Sequence, residues 1–184
     1  WMALYGLGRL AFFRAEFDSA VAHFDTLIGL NSGHEFANDA LELVTFIESQ
    51  RELGHETELE TYASSMLLQY QGRIAAAEKE RRLLFAGPND IEIRARLDQA
   101  LAYKARAQDD SAMAVYDAII TTLPDHHEAL TTHLLRAQLL ERLSRPLEAL
   151  EAFETCLLHF SEDPRAAQIR LEIQRLRRLY SEAG

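Results

Sequence analysis

Cysteine, proline and glycine are all scarce in this sequence of 184 residues, which contains one, four and eight of them respectively. The single cysteine, Cys156, excludes an internal disulfide framework. No run of about 18 apolar residues occurs, which predicts that the sequence contains no transmembrane helix, and no signal peptide is recognisable. Apolar residues make up 48% and charged residues 26% of the chain, values typical of a soluble folded protein.

Basic residues are too few to balance the acidic ones, and the formal net charge is −10. The imbalance is concentrated near the beginning, because residues 1–62 contain eleven acidic and three basic residues. Non-specific binding to nucleic acid needs a basic footprint, which the chain as a whole lacks. Arginines do cluster near the end, at Arg170, Arg175, Arg177 and Arg178. These arginines have two possible interpretations. They contact phosphate or an acidic protein, or they only complement the dipole at the C-terminus of a helix. We predict no nucleic-acid partner.

Motifs for catalysis or cofactor binding are also missing. The sequence has no His-Glu-x-x-His, no Gly-x-Ser-x-Gly, no phosphate-binding loop and no paired-cysteine site. His126, His127 and His133 form its one histidine cluster, but a zinc site needs three or four converging ligands. Cys156 lies on an apolar helical stripe, where an inert buried thiol is expected. We predict a protein that is not an enzyme and that carries neither metal nor cofactor.

The sequence does contain a clear helical hairpin at residues 3–28. Its second helix has one apolar stripe with steps of three and four residues, namely Phe17, Ala20, Val21, Phe24, Leu27 and Ile28. Its first helix contains Gly8, which costs about 0.8–1 kcal/mol relative to alanine in a helix. Such a glycine is useful where a large ring packs closely, and we predict that this ring is Phe24. Two short helices cannot bury both faces alone, so the hairpin needs neighbours.

The rest of the chain has the same helical periodicity, with no strand alternation of useful length. Segments that resemble capping boxes begin at Ser32, Thr57, Asn89 and Asp125. Pro146 suits the first turn of a helix, and Gly87-Pro88 is predicted to end a helix that begins at Ile74. One extra helix, at 33–53, is apolar on more than one face and is predicted to be sandwiched between neighbours. We predict an all-α fold.

Aligning the hairpins on their turns shows an internal repeat. Small residues recur where the two helices of a hairpin cross, at Gly8, Ser65, Ala100 and Ala137. The turn position is also small, at Ala15, Gly72, Ala107 and Ser144. Alanine recurs early in the second helix, at Ala20, Ala77, Ala112 and Ala149. A large side chain follows four residues later, at Phe24, Arg81, Tyr116 and Phe153, and only Arg81 departs from the aromatic pattern.

This register resembles the tetratricopeptide repeat, whose period is about 34 residues. The resemblance covers about three-quarters of the chain and implies a right-handed α-solenoid of antiparallel hairpins in one domain, 1–184. The expected hairpins are 1–30, 55–87, 89–123 and 125–160, with the extra helix at 33–53 and a C-terminal capping helix at 163–181. Leu4, Thr61, Arg96 and His133 depart from the family, which often has tryptophan there.

The resemblance also implies a function, because the first helices of such hairpins line a concave groove that binds proteins. The groove is expected to take an extended or helical peptide with acidic and apolar residues. The alternative for several groove residues, above all the leucines, is packing against neighbouring hairpins. The residues we predict to contact a partner are Tyr5, Arg9, Phe12, Tyr62, Met66, Gln69, Arg94, Lys104, Gln138 and Arg142.

Three hypotheses about function follow. The first is an interaction scaffold in a bacterial multiprotein assembly. The second is a regulatory or substrate-presenting helical segment of a larger enzyme. The third is self-association through the N-terminal hairpin, because Trp1 begins within a helix and the sequence reads as a fragment of a longer protein. The ending at 159–177 is similar to repeats in bacterial envelope lipoproteins, which favours a periplasmic or envelope location over the cytoplasm.

Overall fold

The computed structural model of the protein describes residues 1–30, 35–85, 87, 89–124, 126 and 128–181. In these ranges the chain is helical and has no strand, which confirms the predicted all-α fold. The ten helices in the described ranges are α1 (Met2–Phe13), α2 (Phe17–Leu30), α3 (Glu35–Glu52), α4 (Glu56–Tyr70), α5 (Ile74–Arg82), α6 (Asp90–Ala105), α7 (Asp109–Thr122), α8 (Ala129–Arg142), α9 (Pro146–His159) and α10 (Ala166–Ser181). None of these helices combines the length and the apolar character needed to cross a bilayer.

The helices belong to two compact units. Unit 1 comprises Trp1–Ala95 and unit 2 comprises Arg96–Gly184, so the division falls within α6. Unit 1 has one core cluster, which includes the rings of Phe12, Phe24, Phe46 and Tyr62. Unit 2 has two core clusters that are mainly aliphatic. A single domain over 1–184 stays a prediction, as does the handedness of the repeat.

The turns at the ends of α1, α4, α6 and α8 share one backbone geometry. The Glu16 N–H donates to the Ala11 carbonyl at 2.9 Å and the Ala15 N–H to the Phe12 carbonyl at 2.9 Å, the bond pattern of a Schellman motif. This motif places the residue at the aligned turn position in the left-handed region, which only glycine adopts without strain. The four residues there have φ between 55° and 74°, namely Ala15, Gly72, Ala107 and Ser144.

The crossing of α1 and α2 confirms the predicted partner of Gly8. A β-carbon added to Gly8 would lie 2.5 Å from Cε1 and 2.7 Å from Cδ1 of Phe24. These distances are far below ordinary carbon contacts, so only glycine leaves room for the ring. Both residues are buried, and the equivalent residues Ser65, Ala100 and Ala137 are buried as well.

The extra helix, α3, packs on several sides, as its apolar pattern predicts. Phe36 stacks on Tyr5 of α1, with ring centroids 5.0 Å apart. Phe46 meets Tyr62 of α4 edge to face at 6.0 Å, and the Arg94 guanidinium of α6 lies 4.3 Å from the Phe46 ring centroid. The helix is therefore part of the unit 1 core.

The end of α5 corrects one expectation. The sequence pattern predicts a helix over residues 74–86, but α5 ends at Arg82. The N–H groups of Leu83, Leu84 and Phe85 each bond to a carbonyl three residues earlier, which tightens the last turn. This turn directs Leu84 into the unit 1 core and Phe85 against it, and burial of these side chains outweighs one more helical turn.

The capping predictions had mixed outcomes. At α6 the Asn89 side chain accepts the Glu92 N–H at 2.8 Å, which confirms Asn89 as the helix cap, and α9 begins with Pro146 as predicted. The box at Thr57 is wrong, because α4 already begins at Glu56. Gly54 adopts the left-handed geometry, and only His55 separates it from α4. The boxes that begin at Ser32 and Asp125 lie outside the described residues.

Candidate protein-binding surface

The predicted partner-binding residues are divided between the two units. Unit 1 contains Tyr5, Arg9, Phe12, Tyr62, Met66, Gln69 and Arg94, and unit 2 contains Lys104, Gln138 and Arg142. A continuous groove through all ten stays a prediction.

Phe12 and Tyr62 lie in the core of unit 1. Each is 3% exposed, and their ring centroids are 6.1 Å apart in an edge-to-face arrangement. Aromatic pairs of this kind stabilise a core beyond their buried area. These two side chains hold α1 and α4 together and offer no exposed ring to a partner.

Met66 and Gln69 surround a buried guanidinium. Arg81, which occupies the aromatic position of the aligned hairpins, is fully buried. It donates a hydrogen bond to the Gln69 side-chain oxygen and lies 3.9 Å from the Met66 sulfur. A buried guanidinium needs such polar contacts, because its desolvation is costly. Gln69 and Met66 thus contribute to the packing of α4 against α5.

Arg94 and Arg142 each form an ion pair within their own unit. Arg94 pairs with Glu42 of α3, and Arg142 pairs with Asp109 of α7. Arg94 also covers the Phe46 ring. A partner that used either guanidinium would have to compete with a carboxylate that is already bound.

Lys104 and Gln138 lie on helices of unit 2. Lys104 is half-buried near the end of α6, and Gln138 is exposed on α8. Gln138 lines a cavity of about 230 Å³ together with residues of α9 and α10. Beside it, Arg175 of α10 pairs with Glu141 of α8 at 2.7 Å. The last helix therefore packs on the fourth hairpin and partly covers the face where Gln138 lies.

An open pocket on unit 1 brings together exposed apolar groups and a guanidinium. It has a volume of about 220 Å³ and is lined by Gly6, Arg9, Leu10, Phe13 and Tyr70. The Arg9 guanidinium carbon lies 5.2 Å from the Phe13 ring centroid. Phe13 and Tyr70 have ring centroids 5.9 Å apart, and Tyr70 is 75% exposed. We call these five residues the Arg9 pocket.

Among the described residues, Arg9 contacts aromatic rings and does not pair with a carboxylate. Besides the Phe13 ring, the Tyr5 ring also lies near Arg9, with its centroid 5.9 Å from the Arg9 guanidinium carbon. Burial, followed by the Asp39 carboxylate, raises the pKa of Tyr5, so its phenol stays neutral beside the guanidinium. The pocket is therefore a cationic site with apolar walls.

The repeat register explains how the Arg9 pocket forms. Phe13 and Tyr70 occupy the same position of the first two hairpins, at the last residue of α1 and of α4. The residues predicted from the sequence to contact a partner include Arg9, but not Gly6, Leu10, Phe13 or Tyr70. The recurrence of an aromatic residue at positions 13 and 70 was the signal that would have found this pair.

The described residues contain no group of histidine, cysteine and carboxylate side chains able to hold a metal ion. Cys156 is buried, and burial raises the pKa of its thiol to about 11, so it is not activated as a nucleophile. No protein-family model matches the chain, and no curated protein matches it either.

Proposed function

We propose that this chain is a tetratricopeptide-like helical scaffold that binds a protein partner, and that the Arg9 pocket of unit 1 is its main contact. The partner segment carries a carboxylate next to an apolar side chain. The observation that supports this most strongly is the guanidinium of Arg9, which is exposed, lies over an aromatic ring and has no carboxylate partner among the described residues.

The chemistry of the pocket selects this kind of partner. Arginine and tyrosine are enriched among the residues that dominate binding energy at protein interfaces. A carboxylate that meets Arg9 gains two charge-assisted hydrogen bonds. Leu10 and Tyr70 offer exposed apolar surface beside it, which a leucine or phenylalanine of the partner buries, and the buried Phe13 ring lies beneath the guanidinium. A basic peptide gains neither interaction.

Selection from a random peptide library tests the proposal and does not require an identified partner. The purified chain is used to select peptides, and the selected sequences are compared with the unselected library. We expect enrichment of Asp or Glu directly beside Leu, Phe or Ile. A library that shows no such enrichment, or that enriches Lys and Arg, contradicts the proposal.

Substitutions show whether the selected peptides use the Arg9 pocket. Tyr70→Ala removes an exposed ring and is expected to weaken peptide binding by about tenfold, the loss of roughly 1.4 kcal/mol. The matched control is Tyr103→Ala on α6 of unit 2, where the Arg106 guanidinium lies 5.1 Å from the Tyr103 ring centroid. Equal loss of binding in both variants would place the peptide elsewhere.

A second candidate function is self-association through α1. The exposed large apolar residues on this helix or directly before it are Trp1, Met2, Leu7 and Leu10. These exposed apolar side chains are available for contact with a second copy of the chain. Light scattering across a concentration series tests it: a dimer that Leu7→Glu disrupts supports self-association, and a monomer at every concentration rejects it.

A further inference from the structure

Unit 2 contains a polar cavity that the scaffold function does not use. It has a volume of about 440 Å³ and lies among α7, α8 and α9. The charged and polar residues of its lining include Asp117, His133, Arg136, Glu148, Glu151 and Thr155. Ligand sites in proteins usually have volumes of about 300–1,000 Å³, so the cavity has room for a small organic group. We call it the His133 cavity.

His133 is the most informative residue of this cavity. It is only 9% exposed, yet no described residue forms a hydrogen bond with its ring. The ring instead packs against other rings, with His159 stacked at 6.1 Å and Phe160 edge-on at 5.8 Å between centroids. The ring lines the cavity, and its nitrogens have no protein partner among the described residues. They are therefore available to form hydrogen bonds with a ligand or with water in the cavity.

The protonation state of His133 defines what the ring offers. Burial, followed by the charges of His159 and Arg136, lowers the pKa of His133. The imidazole is neutral at pH 7, so one ring nitrogen accepts a hydrogen bond and the other donates one. An N–H group of a ligand satisfies the accepting nitrogen.

The charges around the cavity favour a cation. Asp117 and Arg136 form an ion pair at 2.6 Å, and Arg145 binds both carboxylate oxygens of Glu148. Within each of these two pairs the opposite charges compensate each other. Glu151 also lines the cavity, and no described residue pairs with it. The remaining negative charge therefore belongs to Glu151.

We propose that the His133 cavity binds the guanidinium or ammonium group of an organic cation, with Glu151 as its counter-ion and His133 as a hydrogen-bond acceptor. The Thr155 side chain, also in the lining, adds a further acceptor. An anion would meet the uncompensated carboxylate. A metal ion is disfavoured, because the described residues do not group three suitable ligands here. The cation is either a free small molecule or a side chain of a bound peptide.

Calorimetric titration of the intact chain with three probes tests the proposal. Agmatine represents a free cation, a blocked Gly-Arg-Gly tripeptide represents a side chain, and a blocked Gly-citrulline-Gly tripeptide is the neutral isostere. We expect agmatine to bind with an affinity that falls as salt is added, and the citrulline peptide not to bind. Binding of the arginine peptide as well assigns the site to a side chain, and binding of agmatine alone assigns it to a free solute.

Two variants link binding to the cavity. Glu151→Gln, at an exposed position, and His133→Leu are each expected to weaken agmatine binding by about tenfold. Glu154→Gln on the same helix is the matched control and should bind like the parent protein. The proposal is overturned if neither cationic probe binds, if the citrulline peptide binds equally well, or if Glu151→Gln leaves the affinity unchanged.

Discussion

The two units of this protein bury different side chains where their hairpins cross. In unit 1, the ring of Phe24 lies directly against the backbone of Gly8, inside an aromatic core. In unit 2, Tyr116 and Phe153 share clusters with Ala100 and Ala137, and most of the other members are aliphatic. One repeat register therefore accommodates two styles of packing. The aromatic unit also has an exposed ring, Tyr70, in the Arg9 pocket, whereas the aliphatic unit has a polar cavity.

The largest expected effect comes from deleting the ring of Phe24. Removing a buried phenylalanine side chain costs about 3–5 kcal/mol. We expect the loss of stability for Phe24→Ala to lie at the upper end of this range, because Gly8 has no side chain that could fill the cavity. We expect the loss for Phe153→Ala to lie at the lower end. Urea unfolding, with hydrogen exchange followed separately in peptides of each unit, measures both values. Equal losses would show that the two crossings are equivalent.

The next effect comes from adding a methyl group at Gly8. Gly8→Ala gains about 1 kcal/mol of helix propensity, but the clash with Phe24 costs about 1–3 kcal/mol. We expect a net loss of about 1 kcal/mol, and a smaller additional cost for Phe24→Leu in the Gly8→Ala background than in the parent. A double-mutant cycle by urea unfolding measures this coupling. Additive effects would mean that the ring does not restrict position 8.

The left-handed turns predict that two substitutions, one in each unit, change the free energy of unfolding in opposite directions. Gly72→Ala in unit 1 is expected to lose about 1 kcal/mol, because alanine is strained at positive φ. Ala107→Gly in unit 2 is expected to gain about 0.5–1 kcal/mol, since relief of strain exceeds the added chain entropy. The control is Ala114→Gly, at an exposed position inside α7, which should destabilise. Thermal unfolding of the three variants provides the comparison, and destabilisation by Ala107→Gly would contradict it.

The smallest effects concern ion pairs between helices. The Asp109 side chain is 18% exposed in its pair with Arg142, whereas Asp18 is 89% exposed in its pair with Arg51. Exposed pairs contribute about 0–1 kcal/mol. We therefore expect Asp109→Asn in unit 2 to cost more than Asp18→Asn in unit 1, and added salt to reduce both. Unfolding at two salt concentrations checks this order, and the reverse order would contradict it.

Periodicity alone predicted much of the fold. The all-α class, the contact between Gly8 and Phe24 and the many-sided packing of α3 all follow from the spacing of apolar and small residues. These features depend on local helix geometry, in which three or four residues correspond to one turn. The aligned turn position was recognised as small, and the structure adds that its backbone is left-handed.

The surface chemistry was harder to predict, because it depends on contacts between distant residues. Sequence spacing does not show that Arg94 and Arg142 are already paired, or that Gln69 accepts a bond from the buried Arg81. Tyr62 lies on the expected helix but is buried. The Arg9 pocket and the His133 cavity both involve residues far apart in the chain. Their lining depends on tertiary packing rather than on helical periodicity.

A charge-swap experiment on the Arg9 pocket tests the proposed function most directly. A peptide selected for its acidic residue is measured with the parent chain, with Arg9→Glu and with Arg14→Glu, a control on the exposed residue directly after α1. We expect Arg9→Glu to weaken binding by at least about tenfold and Arg14→Glu to have little effect. Replacing the acidic residue of the peptide by lysine should restore binding to Arg9→Glu alone. Equal binding of the acidic peptide by the parent chain and Arg9→Glu would contradict the proposal.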